Sequence, residues 1–298
     1  MPPKDSRAET IRLDPQGPYS LSASARFLEG FTPAAHEGAD DEGHLHLAFC
    51  VEGEWAPVGV CLRETGSAVT AEVWGAADPK AVRAQLARIL SLDVDGSQFT
   101  AVAERDPVVG RLQQRNPGLR PVCFFSPYEA AAWALISHRV RIAQAANLKE
   151  RMARELGHAV DIHGHQRFAF PGPARLHELG PFRGLSARKL DNLRALADAA
   201  QAGLLDAARL RSLQTDEALA QLKQLPGIGD FSAQLILVRG AGERDVLPSN
   251  EPRLARAAAL AYGFDSPPSQ SELERLAAQW VPYRSWVSFL LRVGGEAG

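Results

Sequence analysis

The stretch Leu225-Pro226-Gly227-Ile228-Gly229 decides how the rest of the chain is read. Before it, residues 215–224 (TDEALAQLKQ) carry a helical pattern. After it, residues 231–240 (FSAQLILVRG) place Phe231, Leu235 and Val238 at helical spacing. Two glycines flanking one apolar residue predict a tight hairpin whose backbone N–H groups face outward at the mouth of the second helix. Such a mouth carries partial positive charge and suits a phosphate. The segment reads as a helix-hairpin-helix, although an ordinary glycine-turned corner between two helices could use the same five residues.

The residues beyond the hairpin narrow the choice. The run Val246-Leu247-Pro248-Ser249-Asn250 leads to Glu251, and Pro252 opens a further helix. A residue before proline is pushed out of the helical region, and proline favours the first helical position, so Glu251 is expected at the N-cap. Glutamate is not a preferred cap, so stability alone would not select it. A carboxylate there is kept ionised by the helix dipole and aimed across the hairpin. The competing reading is a surface glutamate beside a helix start.

With these residues the chain resembles the HhH-GPD superfamily of DNA base-excision glycosylases, and within it the bacterial inducible 3-methyladenine DNA glycosylase II group. The resemblance implies an α+β N-terminal domain over residues 1–105 and an all-α helix-hairpin-helix glycosylase domain over residues 106–298. It further implies excision of alkylated bases from double-stranded DNA. The family's catalytic aspartate falls on Glu251, a carboxylate one methylene longer. The hairpin residues Gly227, Ile228 and Gly229 take the DNA backbone, and the carbonyls of Lys223, Leu225 and Ile228 fall where the family holds a sodium or potassium ion. Bifunctional relatives carry a Schiff-base lysine at the position of Phe231, which implies a monofunctional enzyme without lyase activity. In the turn after the run SPYEAAAWALIS, His138 and Arg139 fall where the family places a polar residue and the wedge that enters the duplex; a solvated helix end is the competing reading. Arg188 and Lys189, in the Gly184–Lys189 turn that matches the family's pattern, are phosphate candidates or plain surface bases. Phe231, Leu235, Arg292 and Tyr128 are expected around the base pocket. Arg292 replaces an aromatic residue and would disfavour a cationic base. The alternative is a non-cleaving or weakly active DNA-binding paralogue with altered lesion preference.

Composition is that of an ordinary soluble protein, and the overall charge of −2 does not by itself suggest a DNA binder. The 298 residues are 45% hydrophobic and 23% charged, and no apolar run approaches the roughly 18 residues of a membrane span. The start lacks the apolar stretch of a signal peptide, so a cytoplasmic, nucleoid-associated monomer is expected. Residues 1–112 hold 10 basic and 17 acidic side chains, a net −7, whereas residues 113–298 hold 23 and 18, a net +5. The C-terminal part is the basic one. Cys50, Cys61 and Cys123 form no C-x-x-C pair, and no cysteine follows Cys123. This spacing argues against zinc, a disulfide framework and an iron–sulfur cluster, and leaves the three as small apolar filler.

Taken in order, residues 1–18 read as a loose start and 22–30 as a short helix. Residues 37–43 read as an acidic loop. Residues 44–51, 56–64 and 67–75 read as three strands of a sheet with one buried face. Residues 78–92 form the next element, an amphipathic helix capped by Asp78. Ser126, Pro127 and Glu129 form a capping-box signature ahead of a buried helix. Residues 141–160 read as one long helix. Trp280-Val281-Pro282-Tyr283-Arg284-Ser285 matches a further element of the resembled family, with Trp280 and Trp286 as core.

Overall fold

The computed structural model describes residues 8–31 and 43–295, so the acidic run after Glu37 falls outside the described residues save for Gly43. The N-terminal part contains β1 (Glu9–Leu13), α1 (Leu21–Gly30), β2 (Leu45–Cys50), β3 (Pro57–Thr65), β4 (Ala68–Gly75) and α2 (Pro79–Ile89). The strands form one antiparallel sheet in the order β1-β4-β3-β2. Its inner face is apolar at every second residue: Leu45, Leu47 and Phe49 from β2, Val58, Val60 and Leu62 from β3, and Val69 and Ala71 from β4. Val82, Leu86 and Ile89 of α2 and Leu21 and Leu28 of α1 close over this face. Each side chain of this size contributes about 1.5–3 kcal/mol when fully buried. Asp78 caps α2 as expected, accepting from the N–H of Lys80.

Three features depart from the expectation. β1 lies within the stretch read as a loose start. ETIRL is short, and it becomes a strand only because β4 offers a free edge for Glu9–Leu13. The sheet is buried on both faces at β2, where even His46 and Ala48 are buried. Finally, the helix expected over residues 141–160 stops early. α6 (Ile142–Leu156) gives way at Gly157 to a hairpin, β5 (His158–Ile162) and β6 (His165–Ala169). Gly157 is required there, because a Cβ would lie 2.0 Å from the Ala169 carbonyl oxygen. His163 and Gly164 make the turn with φ of 52° and 81°, the conformation of a tight two-residue hairpin. The region after residue 106 is therefore not all-α. Its hairpin lies across the outer face of the sheet, close enough that a Cβ on Gly59 would meet Val160 at 2.6 Å.

The remaining elements are helical: α3 (Val102–Arg105), α4 (Pro107–Arg115), α5 (Pro127–Ser137), α7 (Pro173–His177), α8 (Ala187–Gln201), α9 (Ala207–Ser212), α10 (Thr215–Lys223), α11 (Asp230–Leu235), α12 (Pro252–Tyr262), α13 (Gln270–Ala277) and α14 (Arg284–Gly295). α11 continues into a π-helical turn at Ile236–Gly240. α5 is buried on every side from Pro127 to Ile136, as its unbroken apolar composition requires. Ser126 caps it, accepting from the N–H of Glu129 at 3.0 Å. The capping box is only half made, because the Glu129 carboxylate pairs instead with Lys149 on α6 at 2.6 Å. Trp280, Tyr283 and Trp286 form a separate core with Phe99, Val102, Leu112 and Leu254. There the buried Asp106 accepts from Trp280 Nε1 at 2.9 Å and from the Tyr262 hydroxyl while also capping α4. Among the described residues no helix is long and apolar enough to cross a membrane.

Two buried arginines join the sheet to the helices. Arg120 donates to the carbonyls of Pro18, Ser91, Val94 and Gln16. Arg88 donates to the carbonyls of Phe124, Phe125 and Gly240 and pairs with Glu52. A guanidinium carries five donors in a rigid fork, so one side chain can tie several carbonyl-ended segments together.

Candidate active site

α10 and α11 run into and out of the expected hairpin. Gly227 has φ of +84°, and a Cβ there would lie 2.4 Å from Asn192 Nδ2 and 2.8 Å from a Leu135 methyl. Only glycine meets both constraints. Ile228 points its side chain into the core and its N–H donates to Leu225 O at 3.1 Å, which closes the turn. That bond takes Ile228 N–H out of the outward-facing set. Gly229 differs: it is the N-cap of α11, and nothing lies within 4 Å of where its Cβ would be. The space above Gly229 is open. Lys223 and Asp230 pair across the hairpin at 3.0 Å.

The loop from α11 to α12 is held from two sides. On one side, Gln234 of α11 accepts from Ser249 N at 2.8 Å and donates to the Ser249 hydroxyl. On the other, Arg284 holds Asp245 through two bonds of 2.9 Å, and Ser285 Oγ accepts from Val246 N and donates to Val246 O. The 280–285 element therefore secures the loop that ends at Glu251. Asn250, at φ of +53°, makes the final turn.

Glu251 sits at the N-cap of α12 with extended backbone, as expected from Pro252, but its side chain accepts no cap hydrogen bond. Its carboxylate instead pairs with Arg292 of α14 at 2.8 Å, and the Glu251 side chain is only 9% exposed. Behind this pair lies Arg239, whose guanidinium is enclosed by the rings of Phe27, Phe31 and Phe289 at 4.9–5.3 Å. Burial pushes Arg239 down to about 10, with Arg292 lowering it further and Glu251 opposing the shift. The site thus contains one carboxylate, one arginine paired with it and a second arginine behind.

No family model matches this chain. It is 22% identical over 204 residues to a DNA-3-methyladenine glycosylase of Bacillus subtilis, a match covering 67% of each chain. It is 29% identical over 208 residues to a probable bifunctional transcriptional activator/DNA repair enzyme of Mycobacterium tuberculosis, covering 69% of this chain but 41% of that one. Among solved structures, a 3-methyladenine DNA-glycosylase from Archaeoglobus fulgidus superposes with a TM-score of 0.78 at 21% identity, covering 96% of this chain and 98% of that one. The chain shares the fold of that glycosylase. A Clostridium acetobutylicum 8-oxoguanine glycosylase/lyase bound to DNA also superposes, with a TM-score of 0.71 at 16% identity over 98% of this chain and 97% of that one.

Within this glycosylase fold the other expected residues separate into two groups. Phe231 is 59% exposed at the start of α11, and Leu235 one turn later is half-buried against the core. His138 and Arg139 are exposed at the end of α5, and Arg139 has φ of +55°. A non-glycine residue held there is strained. Arg188 is exposed on the first turn of α8. Lys189 departs from the expectation: its ammonium donates to the Ile136 carbonyl at 2.7 Å, and burial lowers its pKa. It closes the C-terminal end of α5 while remaining partly exposed. Tyr128 departs further. It is buried, donates to Pro171 O at 3.0 Å and packs edge-on against Trp55, and burial raises its pKa well above the ordinary value. It is a core residue and lines no base pocket. Gln234 and Arg239 were not singled out from sequence, and neither carries a local signal that would reveal its partner.

Proposed function

We propose that this chain is a monofunctional DNA glycosylase that excises alkylated, 3-methyladenine-type bases from duplex DNA in base-excision repair. The observation that carries the reading is Glu251, a nearly buried carboxylate on a loop pinned to the hairpin helix by Gln234. N-glycosidic cleavage develops positive charge on the sugar, and a fixed carboxylate stabilises that charge electrostatically and orients water. The nucleotide must leave the duplex to reach it. Arg139, exposed and strained at the end of α5, fills the vacated space by stacking its guanidinium on the neighbouring bases. The mouth at Gly229 and the exposed Arg188 take phosphates, and the carbonyls of Lys223, Leu225 and Ile228 take a monovalent cation. Phe231 leaves no amine at the lyase position, so hydrolysis ends with base release. The protein acts as a cytoplasmic monomer on chromosomal DNA.

One observation favours a second reading, a weakly active or non-cleaving DNA-binding paralogue. The Glu251 carboxylate is already engaged by Arg292, and a cation there disfavours a cationic base. The two readings part on base release from randomly methylated duplex DNA, with Glu251→Gln as control. Release by the parent and its loss in the variant support the first; no release by either, with DNA binding intact, supports the second. A protein–DNA adduct trapped by borohydride would overturn the monofunctional assignment.

A further inference from the structure

The outer face of the N-terminal sheet carries a cluster of histidine and cysteine side chains that no linear motif reveals. His46 of β2 stands directly opposite Cys61 of β3, and Cys61 stands opposite Glu72 of β4. His44, two residues before His46, shares its face. One donor atom from each of His44, His46 and Cys61 lies within 4.8 Å of the others, and His46 and Cys61 are buried. The β5–β6 hairpin covers them. At its tip the rings of His163 and His165 lie 5.8 and 6.2 Å from the ring of His46. His163 is already turned toward Glu72 at 3.4 Å and edge-on to Trp74 at 4.8 Å. His165 is the side chain left to face the cluster.

We propose that His44, His46 and Cys61 bind one zinc ion, with His165 at the fourth position. Two imidazoles and a thiolate are borderline-to-soft donors, the set that selects zinc over magnesium or calcium. Zinc bonds of about 2.0–2.3 Å place tetrahedral donors about 3.3–3.8 Å apart, so the cluster needs only about 1 Å of contraction. His44 precedes β2 and can supply it. A pure packing role explains a buried cysteine but not two imidazoles converging on it. The role assigned is a clasp. A two-stranded hairpin is marginal alone, and the ion would fasten the segment between α6 and α7 onto the sheet. This is independent of Glu251 and of the base-release chemistry.

The test uses the full-length protein, stripped with chelator and titrated with cobalt(II), then zinc(II). The expected result is one equivalent bound, a thiolate-to-cobalt charge-transfer band with the visible absorption of four-coordinate cobalt, and displacement by one equivalent of zinc. Zinc should also raise Tm in proportion to the logarithm of its concentration. Cys61→Ala should abolish the charge-transfer band, and His46→Ala should weaken zinc binding on the order of 100-fold. Cys50→Ser and Cys123→Ser should change neither. If Cys61→Ala does not fold, His44→Ala at the strand start is the second variant, expected to weaken binding while leaving metal-free unfolding at the parent's Tm. No thiolate band in the parent, or a band that survives in Cys61→Ala, overturns the proposal. Unchanged zinc affinity in a folded His44→Ala does so as well.

Discussion

The arginines of the joint and those of the mouth are the same residue in opposite states. At the joint, Arg88 and Arg120 spend their donors on backbone carbonyls and lie buried. At the mouth, Arg139 and Arg188 are exposed, Arg139 in a strained backbone conformation. The difference lies in what surrounds each donor. A guanidinium saturated by carbonyls has nothing left for a ligand, and removing it strands several buried acceptors. A guanidinium at an exposed turn costs the fold little and keeps its full fork for phosphate or base. Lys189 shows that position in a motif does not settle which state applies: it comes directly after Arg188, yet its ammonium donates to the Ile136 carbonyl.

Substitutions can break this division. The largest expected effect is at Glu251. Glu251→Gln should lower single-turnover base release by on the order of 100-fold or more while leaving DNA affinity within about twofold. Glu251→Asp should keep or raise the rate, since a misplacement of about 1 Å can cost on the order of 100-fold. Equal rates for parent and Gln variant would remove the residue from catalysis.

Next is Arg120→Met, expected to cost about 3–5 kcal/mol in urea unfolding, because several buried carbonyls lose their donor. Arg139→Ala should stay within about 0.5 kcal/mol of the parent and instead weaken binding to lesion-containing duplex. A reversal of these two outcomes would invert the comparison.

Within the hairpin the same contrast is smaller. Gly227→Ala should cost about 1–3 kcal/mol, from its positive φ and its contact with Asn192. Gly229→Ala should leave stability within about 0.5 kcal/mol and weaken DNA binding, because its methyl group occupies the space above the α11 mouth. Equal destabilisation by both would remove the case for an open phosphate site.

The smallest effect at neutral pH concerns Cys50, which donates to Phe170 O on the joint side. Burial, with help from Glu129, pushes its thiol up to about 12. The unfolded chain therefore ionises first. The stability tied to the neutral thiol is fully present below about pH 8.5 and is lost as pH rises toward 12, by up to about 1.4 kcal/mol per unit. Cys50→Ala should show a flatter unfolding profile above pH 9 than the parent. Identical profiles would place the thiol in contact with water.

The features legible in the sequence were local. Ser126 and Asp78 cap the helices they precede because each partner lies two or three residues away. Gly227, the N-cap place of Glu251 and the buried Trp280 and Trp286 come from equally short patterns. The features that escaped depend on distant partners. Lys189 reaches a carbonyl 53 residues earlier, and Tyr128 one 43 residues later. The β5–β6 hairpin escaped because AVDI and RFAF continue the apolar content of the preceding helix, and only the His163-Gly164 turn divides them. The Glu251–Arg292 pair joins two positions that were each singled out, but nothing in the spacing pairs them.

The Gln234 bridge to Ser249 acts as a gauge block. It sets the separation between the place where a DNA phosphate would be gripped and the place where a sugar would be met, and it does so with one amide using both of its ends. Clamped this way, grip and chemistry share a single frame of reference. On the proposed assignment, register along the strand would be set by the folded chain itself, because Gln234 fixes the loop that carries Glu251 to the helix that opens at Gly229.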